Sequence, residues 1–132
     1  MKFIAENNQL TIKLEGIEVF WGLRRKIVIP RRKIASLAWT PQFSYTGKSI
    51  WRFGGTGAPR LLYAGNFRSG GDWYFLYISR PKGSTSSGQL AAENILDINA
   101  TDFRYRRILL SCQPDIAASL MNWWTLQKNR SS

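Results

Sequence analysis

The sequence predicts a mainly β domain, a small barrel or sandwich of antiparallel strands with one helix at its C-terminal end. Three observations carry that reading. Apolar and polar residues alternate with a period of two in short stretches between Gln9 and Ser111, the pattern of half-buried strands. Glycine and proline clusters punctuate those stretches, as turns do. One stretch alone, Pro114 to Lys128, changes to the three-to-four spacing of an amphipathic helix.

Leu10, Ile12 and Leu14 face one way and Thr11 and Lys13 the other, so Gln9 to Leu14 is a strand ended by the turn Glu15-Gly16. Val19, Trp21 and Leu23 repeat the alternation, which resumes over Lys26 to Ile29 after Arg24-Arg25. Pro30 cannot donate to a ladder and marks a strand end or an edge. Ile34 to Trp39 is the next strand, closed by Thr40-Pro41, and the stretch from Pro41 to Ser49 reads as irregular.

Gly54-Gly55-Thr56-Gly57-Ala58-Pro59 reads as a turn. A bulge is expected at Gly65, between Leu61-Leu62-Tyr63 and Asn66-Phe67. Ser69-Gly70-Gly71-Asp72 has the composition of a hairpin turn. Trp73 to Ile78, six aromatic or aliphatic residues in succession, is the clearest strand. Pro81 to Gln89 reads as a flexible loop. Asn94 to Ile98 and Tyr105 to Ser111 are the last two strands. In the helix Pro114 suits the first turn and Asp115 the positive end of the dipole, while Ile116, Leu120, Trp123 or Trp124, and Gln127 share one face.

The 132 residues are expected to form a single domain, with 44% apolar and 14% aromatic content that suits a packed core. No apolar run approaches the roughly 20 residues of a membrane-spanning helix, and the N-terminal residues do not form a signal-peptide core. A cytoplasmic location is the expectation. Cys112 is the only cysteine and histidine is absent. A zinc site of nitrogen and sulfur ligands cannot be assembled from one chain, and Ser-His or Cys-His nucleophile pairs are excluded. No cofactor motif is present.

The net charge of +11 points to anionic partners. Between Val19 and Ala92 the only acidic residue is Asp72, against twelve arginines and lysines.

Ile29-Pro30, Ile34-Ala35-Ser36-Leu37, Trp51-Arg52-Phe53-Gly54-Gly55-Thr56-Gly57, Ala64-Gly65-Asn66-Phe67 and the helix opening Pro114-Asp115 follow one another in an order and spacing that resembles the bacterial pleckstrin-homology-like domains. The resemblance runs from about Leu10 to Leu126. It implies two nearly orthogonal antiparallel sheets of about seven strands in all, with the C-terminal α-helix capping one open end through Ile116, Leu120 and one tryptophan. Related domains often stand beside membrane-spanning segments, and this sequence has none. The basic phosphoinositide motif of the eukaryotic members has no counterpart in Lys13-Leu14-Glu15-Gly16-Ile17-Glu18.

Two basic clusters, Arg24-Arg25-Lys26 and Arg31-Arg32-Lys33, sit at the two ends of the short strand Lys26 to Ile29. They could frame a phosphate-binding surface, with arginine supplying bidentate contacts; the plainer reading is a solubilising face. Gly54-Gly55-Thr56-Gly57 lacks the lysine and the following helix of a phosphate-binding loop. Trp39, Phe43, Trp123 and Trp124 are the candidate aromatic contacts for a partner. The two last lie about 100° apart around a helix, so both cannot point straight into one core: one could stand at the rim for a partner, and the plainer reading is that both cover the barrel mouth obliquely.

The acids fall mostly at turns or termini; Asp97, within a strand, reads as a cross-strand partner for arginine. Ser111 and Cys112 precede the helix, where its dipole can lower a thiol's pKa, but a buried, inert Cys112 is the main reading. The expectation is a non-enzymatic binding or assembly module of the bacterial cytoplasm. It would use its basic face on an anionic membrane surface or an acidic protein; the alternatives are a homo-oligomeric scaffold or a non-specific nucleic-acid binder.

Overall fold

The computed structural model describes residues 2–13, 26–46, 51–58, 62–69, 71–80, 82–84 and 89–130. They form ten strands: β1 (Lys2–Ala5), β2 (Gln9–Lys13), β3 (Lys26–Pro30), β4 (Ile34–Thr46), β5 (Trp51–Ala58), β6 (Leu62–Ser69), β7 (Asp72–Ser79), β8 (Lys82–Ser84), β9 (Gln89–Ala100) and β10 (Arg107–Ser111). One α-helix, α1 (Pro114–Arg130), follows them, and a 3-10 turn, Arg31–Lys33, joins β3 to β4. The expected strand over Val19, Trp21 and Leu23 lies outside the described residues, as do Arg24 and Arg25.

The strands make two sheets. The smaller has the order β1-β2-β3; the larger runs β4-β9-β10-β7-β6-β5, with β8 also paired to β9. The mainly β architecture with a C-terminal helix thus holds. The count of about seven strands does not, and the described strands close no barrel.

Nor are all pairs antiparallel. β10 enters between β9 and β7, antiparallel to the first and parallel to the second. Ile108, Leu109 and Leu110 are wholly buried there, because a strand in the middle of a sheet covered on both faces is apolar at every position.

Local turn signals are overridden by ladder pairing in several places. The stretch Gly54 to Gly57 is not a turn but part of edge strand β5, where Gly55 pairs with Gly65 and Gly57 with Tyr63. The bulge falls on β5 between Arg52 and Gly54, and Gly65 itself is in register with both neighbours. Pro41 ends nothing: β4 runs on to Thr46, and as the outermost strand of its sheet it tolerates a residue without an N–H. Within the expected loop Pro81 to Gln89, Lys82–Ser84 forms a hairpin arm against β9. The Ser69–Asp72 hairpin is as expected, with Gly71 at φ 94°, a conformation that glycine adopts without strain.

Between the sheets lies the first core. Leu10, Ile12, Ile27 and Ile29 of the small sheet meet Leu37, Phe75, Leu96, Ile98, Ile108 and Leu110 of the large one, and Ala117 and Leu120 of α1 join them. A second core on the opposite face of the large sheet gathers Phe43, Phe67, Leu76, Ile78, Leu90, Ala92, Ile95 and Leu109. Both faces of Trp73 to Ile78 are therefore used, as its unbroken apolar run requires.

Along β4, Leu37 and Trp39 belong to the first core, whereas Phe43 and Tyr45, at the same alternation, belong to the second. The change falls at Pro41, which lies opposite Asn94 between the pairs Thr40–Ile95 and Gln42–Glu93. Asn94 has φ 54°. The long β4–β9 ribbon turns over at that point, and its outer half covers the second core.

The helix presents Leu120 and its tryptophans to the first core as expected, but turned so that Ala117 takes the place of Ile116. Ala117 and Leu120 are buried, while Ile116 is 38% exposed. Trp123 fixes the rotation by donating its indole N–H to the Glu6 carbonyl at 2.7 Å.

Candidate anion-binding face

β3 places Lys26 at its first position, exposed, and delivers the chain at Pro30 into the turn carrying Arg31, Arg32 and Lys33. The two ends of β3 are basic, as its sequence suggests, but the residues differ in what they can offer. Arg31 is half-buried, with its guanidinium 5.2 Å from the centre of the Trp124 ring. Its backbone N–H donates to the Asn8 carbonyl at 2.8 Å. Lys33 is also half-buried, and its carbonyl accepts the Thr101 N–H at 2.8 Å. Arg32 is exposed. The turn therefore ties the small sheet to the large one and to the helix, and Arg31 serves that joint.

At the other end of β3 the pairing register assembles a group that the sequence keeps apart. Lys26 lies directly opposite Lys13 on β2, and Lys13 directly opposite Lys2 on β1. All three are exposed, on strands about 4.8 Å apart. Core-facing Phe3, Ile12 and Ile27 fix the opposite orientation of their lysine neighbours by alternation. Like charges directly opposite one another destabilise a sheet by a few tenths of a kcal/mol per pair, up to about 1. Among the described residues none of the three has an ion-pair partner.

The next row on the same outer face is Ile4, Thr11 and Val28, with Ile4 37% exposed. Thr11 at the centre of that row is only 8% exposed and Val28 is half-buried, so the face combines a line of ammonium groups with one exposed apolar side chain, Ile4. Sequence reasoning missed Lys2 and Lys13. The outward position of Lys13 was readable, but nothing in the sequence pairs it with Lys2 and Lys26.

The aromatic residues expected to meet a partner have internal roles. Phe43 is buried in the second core, 7% exposed, because the ribbon turns over before it; it is not a surface contact. Trp39 is half-buried and donates its indole N–H to the Cys112 carbonyl at 2.9 Å. Trp123 and Trp124 both lie partly buried against the first core, one on the Glu6 carbonyl and the other on Arg31.

Asp97 does partner an arginine across strands, receiving both Nε and a terminal nitrogen of Arg107. The hydrogen bonds that Arg107 donates to the Asp97 carboxylate raise its pKa above the ordinary value. Cys112 carries no thiolate character: burial, with Asp115 adding to it, pushes the thiol up to about 11. Among the described residues no cluster of three or more carboxylate or thiol groups could hold a metal ion, and no helix is long and apolar enough to cross a membrane.

Compared with known proteins, the chain matches no family model, no curated protein and no solved structure.

Proposed function

We propose that this chain is a non-enzymatic binding module of pleckstrin-homology-like type that docks on anionic membrane surface through the outer face of its small sheet. The observation that carries the reading is the in-register row Lys2–Lys13–Lys26. Three facing ammonium groups with no ion-pair partner among the described residues oppose folding, and an anionic surface is the partner that reverses the sign of that energy. Each lysine held near such a surface contributes about 1 kcal/mol, so the row supplies roughly a hundredfold in partition. Ile4, exposed in the adjoining row, can enter the headgroup boundary beside it. Two sheets followed by a C-terminal helix support the pleckstrin-homology-like assignment.

Co-sedimentation with vesicles of phosphatidylcholine alone and with added phosphatidylserine, at low and high salt, tests the reading. Binding is expected to anionic vesicles only, to fall steeply with salt, and to vanish in Lys2→Glu/Lys13→Glu/Lys26→Glu. Binding unchanged in that variant would overturn the assignment of the face. A salt-resistant multimer with no vesicle binding would point instead to self-assembly.

A further inference from the structure

A cleft of about 970 Å³ opens between the outer half of the β4–β9 ribbon and the C-terminal ends of β7 and β10. Phe43, Ala92 and Cys112, all buried, form its floor, and Gln42, Glu93 and Arg80 stand at its rim. It is far in sequence from the lysine row and shares no residue with it.

Two backbone outliers line this one cleft. The described residues include three non-glycine positions with positive φ, and Arg80 at 51° and Asn94 at 54° are both here. Asparagine enters that region readily; arginine does not. Where the β6–β7 hairpin needs a positive φ the chain uses Gly71, yet after β7 it carries arginine. The preceding residue is anchored, Ser79 N–H donating to the Ser111 hydroxyl at 2.8 Å. The unfavourable backbone thus sets a guanidinium at the mouth of a cavity with an apolar floor, and Arg80 has no ion-pair partner among the described residues. Strain held at a cavity by a side chain of that chemistry indicates use of the side chain.

We infer that the cleft binds a small organic anion. Its carboxylate or phosphate group meets Arg80, its apolar body lies over Phe43 and Ala92, and an amine or hydroxyl donor on it faces Glu93. This site stands independently of the membrane reading.

The probe is 8-anilinonaphthalene-1-sulfonate, an aromatic anion with one N–H donor whose fluorescence rises in apolar surroundings. Titration of the full chain should show one saturable site. Displacement by phenyl phosphate would assign a phosphate ligand and displacement by benzoate a carboxylate; displacement by neither would overturn the proposal. Arg80→Gln should weaken the probe at least roughly tenfold, since a charge-assisted contact is lost. Arg80→Gly should weaken it equally while raising the melting temperature, because glycine accepts the backbone conformation. Arg104→Gln, at an exposed residue outside both the cleft and the lysine row, should leave probe affinity unchanged. Undiminished probe binding in both Arg80 variants would refute the site.

Discussion

Arg107 grips Asp97 with two hydrogen bonds, Nε to Oδ1 at 2.9 Å and a terminal nitrogen to Oδ2 at 2.7 Å. The pair is diagonal across two strands, since Arg107 faces Asn99 and Asp97 faces Leu109. The same guanidinium lies 5.7 Å from the Phe43 ring centre and 5.8 Å from that of Tyr45. One ion pair therefore binds β9 to β10 and holds the overturned half of the ribbon on the second core. Both side chains are largely shielded, at 22% and 17% exposure, so solvent screens them only in part.

Removing one partner leaves the other charge without its counterpart in that setting. Asp97→Ala is expected to cost about 2 kcal/mol. The double variant Asp97→Ala/Arg107→Leu should cost less than the sum of the two single changes. Urea unfolding of the four proteins measures the coupling, and additive losses would show that the pair is not a unit.

The rotation of α1 gives a second prediction. Ile116, exposed, is expected to tolerate alanine with a loss of no more than about 0.5 kcal/mol. Ala117 is 1% exposed in the first core, and leucine there should cost about 2 kcal/mol by overpacking. The reverse order of effects in thermal unfolding would return the helix to the face that its sequence spacing favours.

That face was misread for a physical reason. Spacing alone cannot rank Ile116 above or below Ala117, because hydrophobicity favours the larger side chain while the close approach of the helix to the sheets selects the smaller. The turn at Gly54 to Gly57 and the strand end at Pro41 failed in the same way, through long-range pairing that no local residue declares. Strands whose alternation or apolar run is strong are legible, the expected Gln9 to Leu14 being found over Gln9–Lys13 with Leu14 outside the described residues, and Trp73 to Ile78 within β7, as is the arginine partner of Asp97. β1 carries no such pattern strong enough to stand alone. The lysine row needs a register that joins three strands, so the outward position of Lys13 is readable from the sequence but its meeting with Lys2 and Lys26 is not.

Replacing the middle lysine separates folding from binding. Lys13→Glu turns two like-charge pairs, with Lys2 and Lys26, into two attractive ones, so stability should rise by about 0.5 kcal/mol. Its partition onto phosphatidylserine vesicles should fall by about 2 kcal/mol, near thirtyfold, for a change of two charges at the surface. Opposite signs in a denaturation curve and a sedimentation assay are the expected signature. A variant that is both less stable and less bound would show that Lys13 is a structural residue and not a binding one.

Cys112 ties stability to alkaline pH. The residue is 4% exposed, and burial raises the thiol pKa from 9.0 to about 11, Asp115 contributing in the same direction. The folded chain therefore retains this proton when the unfolded chain releases it. Below pH 9 both states hold the proton and the stabilisation is fully present; it is lost as pH rises toward 11. Tyr74 is also raised above its ordinary value, chiefly by burial, so the thiol must be isolated by comparison with Cys112→Ala. The wild type should lose stability faster than Cys112→Ala across that window while the two run parallel below it. Alkylation by iodoacetamide should follow the same course, slow in the native chain at neutral pH and fast once denaturant opens the first core. Parallel stability curves through the whole range, or rapid native alkylation, would mean that the loop between β10 and α1 opens to solvent and that the buried thiol is not held by the fold.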